Sequence, residues 1–277
     1  MSRRPSVATP TVGNDGSYTF GDSARAATRL GLLAEVFKEA TTGFLLRLRG
    51  ERQRLAVDLG CGPGFTTVLL DDLIAPEHVI GVDASAAFAS QAARRLGSRG
   101  EVVCADVRDL PTEVQDADLI FARFLLTHLT EPAAAIEHWV SRISPTGVVA
   151  VQEVESITTG ESTLRRYLEL QRLMLEANGS SLDIGPVIAD ARRTPGAVLH
   201  NDVVHLTPSA STAARMFAMN FAEWRTRPTV AALASSIELD EIELGLRTLS
   251  ADEDSDASIT WELRELVVGG RGSTATA

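Results

Sequence analysis

Basic residues are scarce relative to acidic ones: 26 Lys and Arg stand against 37 Asp and Glu, a formal net charge of −11. A nucleic acid or an anionic membrane surface favours a basic footprint, so neither is expected as the main partner. Cysteine is nearly missing. Cys61 and Cys104 form no metal-ligand spacing, and two thiols in apolar or glycine-rich surroundings suit packing roles in a reducing compartment. No run of about 18 apolar residues occurs, so no membrane-spanning helix is expected. Arg3-Arg4 is followed by Ser, Thr, Gly and Asp instead of the apolar core of an export signal, and a cytoplasmic protein is expected. Internal repeats are absent. What remains is 277 residues, 44% of them apolar, enough to bury a sizeable core in one large domain or one and a half.

The most informative stretch is Leu55-Ala56-Val57-Asp58-Leu59-Gly60-Cys61-Gly62-Pro63-Gly64-Phe65. Four residues, Leu55 to Asp58, read as a buried strand closing on a carboxylate. Three alternate glycines and a helix start come next, bringing bare backbone N–H groups close to a ligand. By itself such a turn is weak evidence. Its G-x-G-x-G spacing is tighter than the dinucleotide G-x-G-x-x-G, and the downstream strands decide between the two.

Before this stretch, residues 1–16 read as a disordered tail and 17–50 as N-terminal helices, either a lid or packing on the sheet edge. Asp22 is a good N-cap for a helix presenting Ala26, Leu30, Leu33 and Phe37 on one face, and a second helix is expected near Thr42 to Leu48. After it, strands and helices alternate. Strand two, His78 to Asp83, ends on an acid about 20 residues past the glycines, where a carboxylate can accept both ribose hydroxyls of an adenosine ligand. Strand three runs from Glu101 to Asp106, strand four from Ala117 to Ala122, and strand five from Val148 to Gln152. Thr130 and Pro132 open the helix between the last two. Such alternation implies a parallel, doubly wound sheet. A further helix is read around Leu164 to Leu175, another over Ile184 to Arg193, strand six over Ala197 to Leu206, and a largely helical stretch over 209–249. Asp252 to Asp256 is a solvated acidic loop, and the alternation in Ile259 to Val268 predicts a seventh, antiparallel strand.

Asp58 to Gly64, Asp83, Ala105-Asp106 with Leu110-Pro111, Phe124 to Pro132 and Pro145 to Val151 resemble the successive motifs of the class I S-adenosylmethionine-dependent methyltransferases. The small-molecule branch, with D-x-G-C-G-x-G and R-F-x-L-x-x-L stretches, is the nearer match. The resemblance covers roughly residues 50 to 155; Thr146 departs from the family's usual glycine, in a turn only. It implies an α/β fold, a doubly wound seven-stranded mostly parallel sheet with the last strand inserted between strands five and six. Residues 51–277 form the cofactor domain in that scheme, with helical insertions at about 160–180 and 209–249. The implied cofactor is S-adenosyl-L-methionine.

On that resemblance Asp58, Gly60, Cys61, Gly62 and Gly64 wrap the methionine part of the cofactor, and Asp83 binds its ribose. Asp106 is implied as partner of the adenine amino group, with Ala84 and Val107 lining the ring; a plain strand-end cap is the alternative for Asp106. Ala122 and Arg123 end strand four, where open α/β sheets bind ligands. Arg123 either neutralises the cofactor's carboxylate or pairs with Asp106 or Asp109. Tyr18 and Arg29 are further candidates for that carboxylate, or structural lid residues. His128 is a candidate base near the methyl acceptor, with packing as its alternative. Gln152, Glu153 and Glu155 leave strand five toward the same pocket, where Glu153 could orient or deprotonate the acceptor; a solvated loop is the alternative. No metal site is expected.

For the acceptor, a small and largely apolar metabolite, the expected contacts are Tyr18, Phe124, Thr127, Gln152, Tyr167, Phe217, Phe221 and Trp224. The last four lie on one-sided apolar helices that must cover a ligand, the domain, or a twin subunit in a homodimer. The expected reaction is methyl transfer to O, N or C. Two rivals stay open: a protein of the same fold performing a cyclisation or another non-methylating step, and a nicotinamide-dependent oxidoreductase. The glycine spacing, the acid after strand three and the antiparallel last strand disfavour the oxidoreductase.

Overall fold

The computed structural model describes residues 24–50, 53–190 and 196–270. The tail, Tyr18, Asp22 and Arg193 lie outside the described residues. Helices α1 (Ala24–Val36) and α2 (Lys38–Arg47) precede β1 (Leu55–Leu59). Then come α3 (Phe65–Ile74), β2 (His78–Asp83), α4 (Ala86–Leu96), β3 (Glu101–Cys104), β4 (Ala117–Arg123), α5 (Pro132–Val140) and β5 (Ile143–Thr159). The last third comprises α6 (Ser162–Ala177), α7 (Gly185–Ile188), β6 (Ala197–Leu206), α8 (Ala210–Trp224), α9 (Pro228–Leu233), α10 (Ser236–Ala251) and β7 (Ile259–Gly269).

All seven strands form one sheet in the order β3-β2-β1-β4-β5-β7-β6. The pairs among β1 to β5 are parallel, and β7 runs antiparallel between β5 and β6. The sheet order reverses next to β1, so the carboxyl ends of β1 and β4 border the crevice where such sheets bind ligands. Alternate residues of the central strands feed two cores. Val57, Leu59, Ile120 and Val149 pack with Ile136 and Trp139 of α5, whereas Ala56, Leu119, Phe121 and Ala150 pack with Phe44 of α2 and Leu70 of α3. A third core unites Leu33 and Phe37 with α6, α8, α10 and the far end of the β5–β7 pair.

Three expectations change. Strand five does not stop at Gln152: it pairs with β7 out to Thr159↔Ile259, through a register shift between Val154 and Ser156. Charges hid this extension. Glu155 is tolerated in the strand because Arg264 of β7 clasps it with two hydrogen bonds, at 2.6 and 2.8 Å. The helix read over Ile184 to Arg193 shrinks, within the described residues, to the single turn of α7. Finally, Cys104 is exposed, because β3 is an edge strand, whereas Cys61 is buried as expected.

Candidate cofactor and acceptor site

Beyond β1 the chain turns through Gly60, Gly62 and Gly64, with φ of 65°, 53° and 86°. These left-handed values favour glycine, and fixed backbone enforces the choice at Gly64, while at Gly60 the obstacle is a leucine methyl that can move. A Cβ on Gly60 would lie 2.8 Å from Leu125 Cδ1, and one on Gly64 would lie 2.8 Å from the α4 backbone at Ala92. Gly62 is roomier, with Leu30 Cδ1 of α1 the nearest atom at 3.6 Å. The loop is hooked to β2: Cys61 N–H donates to Val82 O at 3.0 Å, and Gly62 N–H to Asp83 Oδ2 at 2.8 Å. Ser85 N–H holds the other Asp83 oxygen at 2.8 Å.

Asp58 is buried beneath this loop and accepts from Thr67 Oγ1 at 2.6 Å. Burial pushes its pKa up to about 7, against the opposing pull of Thr67 and Arg123. Asp106 lies two residues past β3 and is partly exposed. It accepts from the backbone N–H and the guanidinium of Arg108, which hold its pKa below the usual range. Val107 is buried, and its carbonyl accepts from Trp139 Nε1 at 2.9 Å, fixing the chain on that side; Ala122 is buried and Ala84 exposed.

Arg123 pairs with neither Asp106 nor Asp109 among the described residues. Its Nη1 donates to Thr41 of α2 at 2.9 Å, and Asp58 and Glu153 offset the burial that lowers its pKa to about 10. Thr41 donates in turn to Gln152 Oε1 at 2.7 Å, and Gln152 Nε2 to Glu265 Oε1 at 2.9 Å. Arg47 closes the chain on the other Glu265 oxygen. Gln152 is therefore fully buried in a network that bolts α2 to the sheet, not in a solvated loop. Thr41 and Glu265 were not legible as members of it, since their partners lie over 80 residues away in sequence.

Glu153 is likewise enclosed. Its Oε1 accepts the N–H groups of Leu125 and Leu126 at 2.8 Å each, so it pins the turn after β4, and burial pushes its pKa up to about 8. That turn begins at Phe124, whose φ of 53° is uncommon for a non-glycine residue and is held by a T-shaped contact with Phe37, ring centroids 5.0 Å apart. Thr127 is buried and bonds Ser181 O, which ties the turn to the chain after α6. His128 keeps partial solvent contact, yet desolvation of its ring and the nearby Arg29 charge push its pKa down to about 3.

The expected cap aromatics come together. Tyr167 stacks on Phe217 at 4.3 Å between centroids, Phe221 meets Trp224 edge-on at 4.8 Å, and Phe217 reaches Trp261 of β7 at 5.6 Å. α1 joins this cluster through Leu33, with Phe37 directly after the helix, while its Leu30 covers Gly62 and its Gly31 lies against Phe65. The aromatic cluster and the glycine loop are thus bridged by one helix. Arg29, beside Leu30, is buried and electrostatically close to both His128 and Tyr167. Asn220 escaped sequence reading, although a lone amide on the apolar face of α8 was a usable signal. A left-handed glycine loop in which only Gly62 has open room beside it, with carboxylates at the tip of β2 and past β3, fits a ligand carrying an amino acid joined to a nucleoside. No group of three or more potential ligands for a metal occurs among the described residues, and no described helix is long and apolar enough to cross a membrane.

Residues 56–147 match the methyltransferase domain family. A trans-aconitate 2-methyltransferase of Escherichia coli O6:K15:H31 (strain 536 / UPEC) is 40% identical over 108 residues, 39% of this chain and 42% of that protein. The chain therefore spans less than half the length of the curated relatives it matches. A putative methyltransferase from Bacillus halodurans C-125 superposes with a TM-score of 0.55 at 11% identity, covering 84% of this chain and 99% of that one. Phosphoethanolamine N-methyltransferase 2 of Haemonchus contortus, solved with S-adenosyl-L-methionine, gives 0.54 at 15% identity, covering 87% and 57%. At such identities the likeness speaks for the fold. The chain has a Rossmann-like, seven-stranded fold shared with these solved methyltransferases, and its residues 56–147 match the methyltransferase domain family over a third of its length.

Proposed function

We propose that this chain transfers a methyl group from S-adenosyl-L-methionine to O, N or C of a small molecule whose body is largely apolar. The observation that carries the reading is the glycine loop hooked by Gly62 N–H to Asp83, joined through α1 to a buried cluster of aromatic rings. In this reading Gly60 to Gly64 present the methionine cradle, Asp83 takes the ribose hydroxyls, and Asp106, Ala84 and Val107 border the base. When bound, the cofactor supplies an electrophilic methyl on a sulfonium. The residues around it then chiefly align the acceptor and exclude water. A base is not essential to that task, which agrees with a neutral His128 and with a Glu153 committed to two backbone N–H groups.

The names of the curated relatives support a small-molecule acceptor, since trans-aconitate is one. Cytoplasmic residence and a lack of nucleic-acid partners belong to the same reading, supported by two free thiols and the acidic charge. Phe217, Phe221 and Trp224 already pack inside the chain, which favours a cap over a homodimer face for these rings. The test is incubation with methyl-labelled cofactor and a panel of small acceptors. Label transfer with release of S-adenosylhomocysteine is expected; cofactor binding with no transfer to any acceptor would favour a non-methylating step.

A further inference from the structure

The cap is not uniformly apolar. Asn220, 6% exposed, donates through Nδ2 to the Tyr167 hydroxyl at 3.0 Å, while its Oδ1 has no hydrogen-bond partner. The indole N–H of fully buried Trp224 approaches the same hydroxyl without reaching hydrogen-bond geometry. Gln171, one turn along α6 from Tyr167 and 5% exposed, encloses an Oε1 with no partner. Buried polar atoms are normally satisfied, and three that are not, in one apolar cluster, are costly enough to require a reason. Arg29 supplies a buried positive charge at the same place, 3% exposed and electrostatically coupled to Tyr167 and His128. Its neighbour Leu30 touches Gly62, and His128 lies three residues after Leu125, which covers Gly60. The cluster therefore borders the cofactor loop.

Resting on the methyl-transfer reading, we infer that this cluster is the head-group site for the acceptor, and that the acceptor carries a carboxylate with a hydrogen-bond donor beside it. The Arg29 guanidinium, the Tyr167 hydroxyl and the Trp224 N–H are donors suited to the carboxylate. Asn220 Oδ1 and Gln171 Oε1 accept from the neighbouring O–H or N–H. Phe217 and Phe221 leave an apolar wall for the remainder of the molecule. α6, α8 and α1 all lie outside residues 56–147, so this specificity belongs to the chain's own additions and not to the shared domain.

The experiment uses the full chain saturated with S-adenosylhomocysteine and matched probes: aryl-substituted 2-hydroxy acids and their primary amides, monitored by ligand-observed NMR. Each acid should bind about 10- to 100-fold tighter than its amide, as expected for hydrogen bonds to a charged group. Arg29→Gln should erase that preference and the conservative Tyr167→Phe should reduce it, whereas Asn220→Leu should weaken acid and amide alike, because it removes the acceptor for the 2-hydroxyl that both probes carry. S-adenosylhomocysteine affinity should stay within about twofold in Asn220→Leu, a change small enough to show the fold and cofactor loop intact. Acids and amides binding alike, a preference that survives Arg29→Gln, or Asn220→Leu leaving the affinity of both probes unchanged would overturn the inference. So would Arg29→Gln losing S-adenosylhomocysteine while keeping the acid preference, since Arg29 would then serve the cofactor. A wild type that prefers the acids but does not bind S-adenosylhomocysteine would instead sink the methyl-transfer reading and leave the carboxylate site standing.

Discussion

Gly62 N–H donates to Asp83 Oδ2 at 2.8 Å, so the first glycine turn and the tip of β2 are one unit before any ligand arrives. That hook fixes the cradle, and Asp83 still has lone pairs for ribose hydroxyls. Asp83→Ala removes the hook and the proposed ribose contact together. Calorimetric affinity for S-adenosylhomocysteine should fall by about 30- to 150-fold, equivalent to about 2–3 kcal/mol of charge-assisted hydrogen bonds. Unchanged affinity in a folded variant would remove Asp83 from the site.

Gly62 and Gly64 share a left-handed backbone but not their surroundings. Gly64→Ala must displace the α4 backbone at Ala92, 2.8 Å away, whereas Gly62→Ala meets only the Leu30 side chain at 3.6 Å. Overpacking against fixed backbone adds about 1–3 kcal/mol to the cost of the strained φ. Gly64→Ala should therefore melt well below Gly62→Ala, by about 2–4 °C for each added kcal/mol. Gly62→Ala should instead show the larger loss of cofactor affinity, because its Cβ enters the cradle. Equal melting points would mean that φ alone sets the cost.

Glu153 yields a pH signature. Burial raises its pKa from 4.5 to about 8, so the folded state holds the proton more tightly than the unfolded chain. The stability it contributes is complete below about 4.5 and is lost as pH rises through about 8. Asp58 behaves in the same way but finishes near pH 7, so the window from pH 7 to 9 reports chiefly on Glu153. Glu153→Gln keeps an acceptor for Leu125 and Leu126 N–H without the charge. Its melting temperature should decline less than that of the wild type over that window and exceed it at pH 9; parallel curves would show that Glu153 does not titrate there.

His128 is expected to matter modestly. With a pKa near 3 it is a weak base, and its surroundings hold it neutral across the physiological range. His128→Ala should lower turnover by less than about a hundredfold, below the usual range for loss of a general base. The pH–rate profile of the wild type should show no histidine inflection near 6.5. A larger drop with cofactor affinity and melting temperature preserved would assign His128 to the chemistry.

The features legible in the sequence are those whose cause is local. Gly60 to Gly64 come directly after a short apolar strand, and Asp83 ends the next one, so the order of local motifs placed the glycine turn beside β2. The alternation of Ile259 to Val268 announced β7, and the one-sided faces of α6 and α8 announced the apolar cluster they bury. What failed depended on partners distant in sequence. Glu153 and Glu155 resembled a solvated loop because their compensation comes from the Leu125–Leu126 backbone and from Arg264. Arg123 was offered Asp106 or Asp109 as a partner by nearness in sequence, whereas its hydrogen bond goes to Thr41 of α2. Cys104 read as packing because its apolar strand gave no sign of lying at the sheet edge.

The central claim is that the cradle and Asp83 take S-adenosyl-L-methionine and not a dinucleotide. Calorimetric titration of the wild-type chain with S-adenosyl-L-methionine, NAD and NADP in parallel tests it most directly. Saturable binding of S-adenosyl-L-methionine, with no heat from either dinucleotide, is the expected result. Binding of NAD or NADP with no response to S-adenosyl-L-methionine would contradict it.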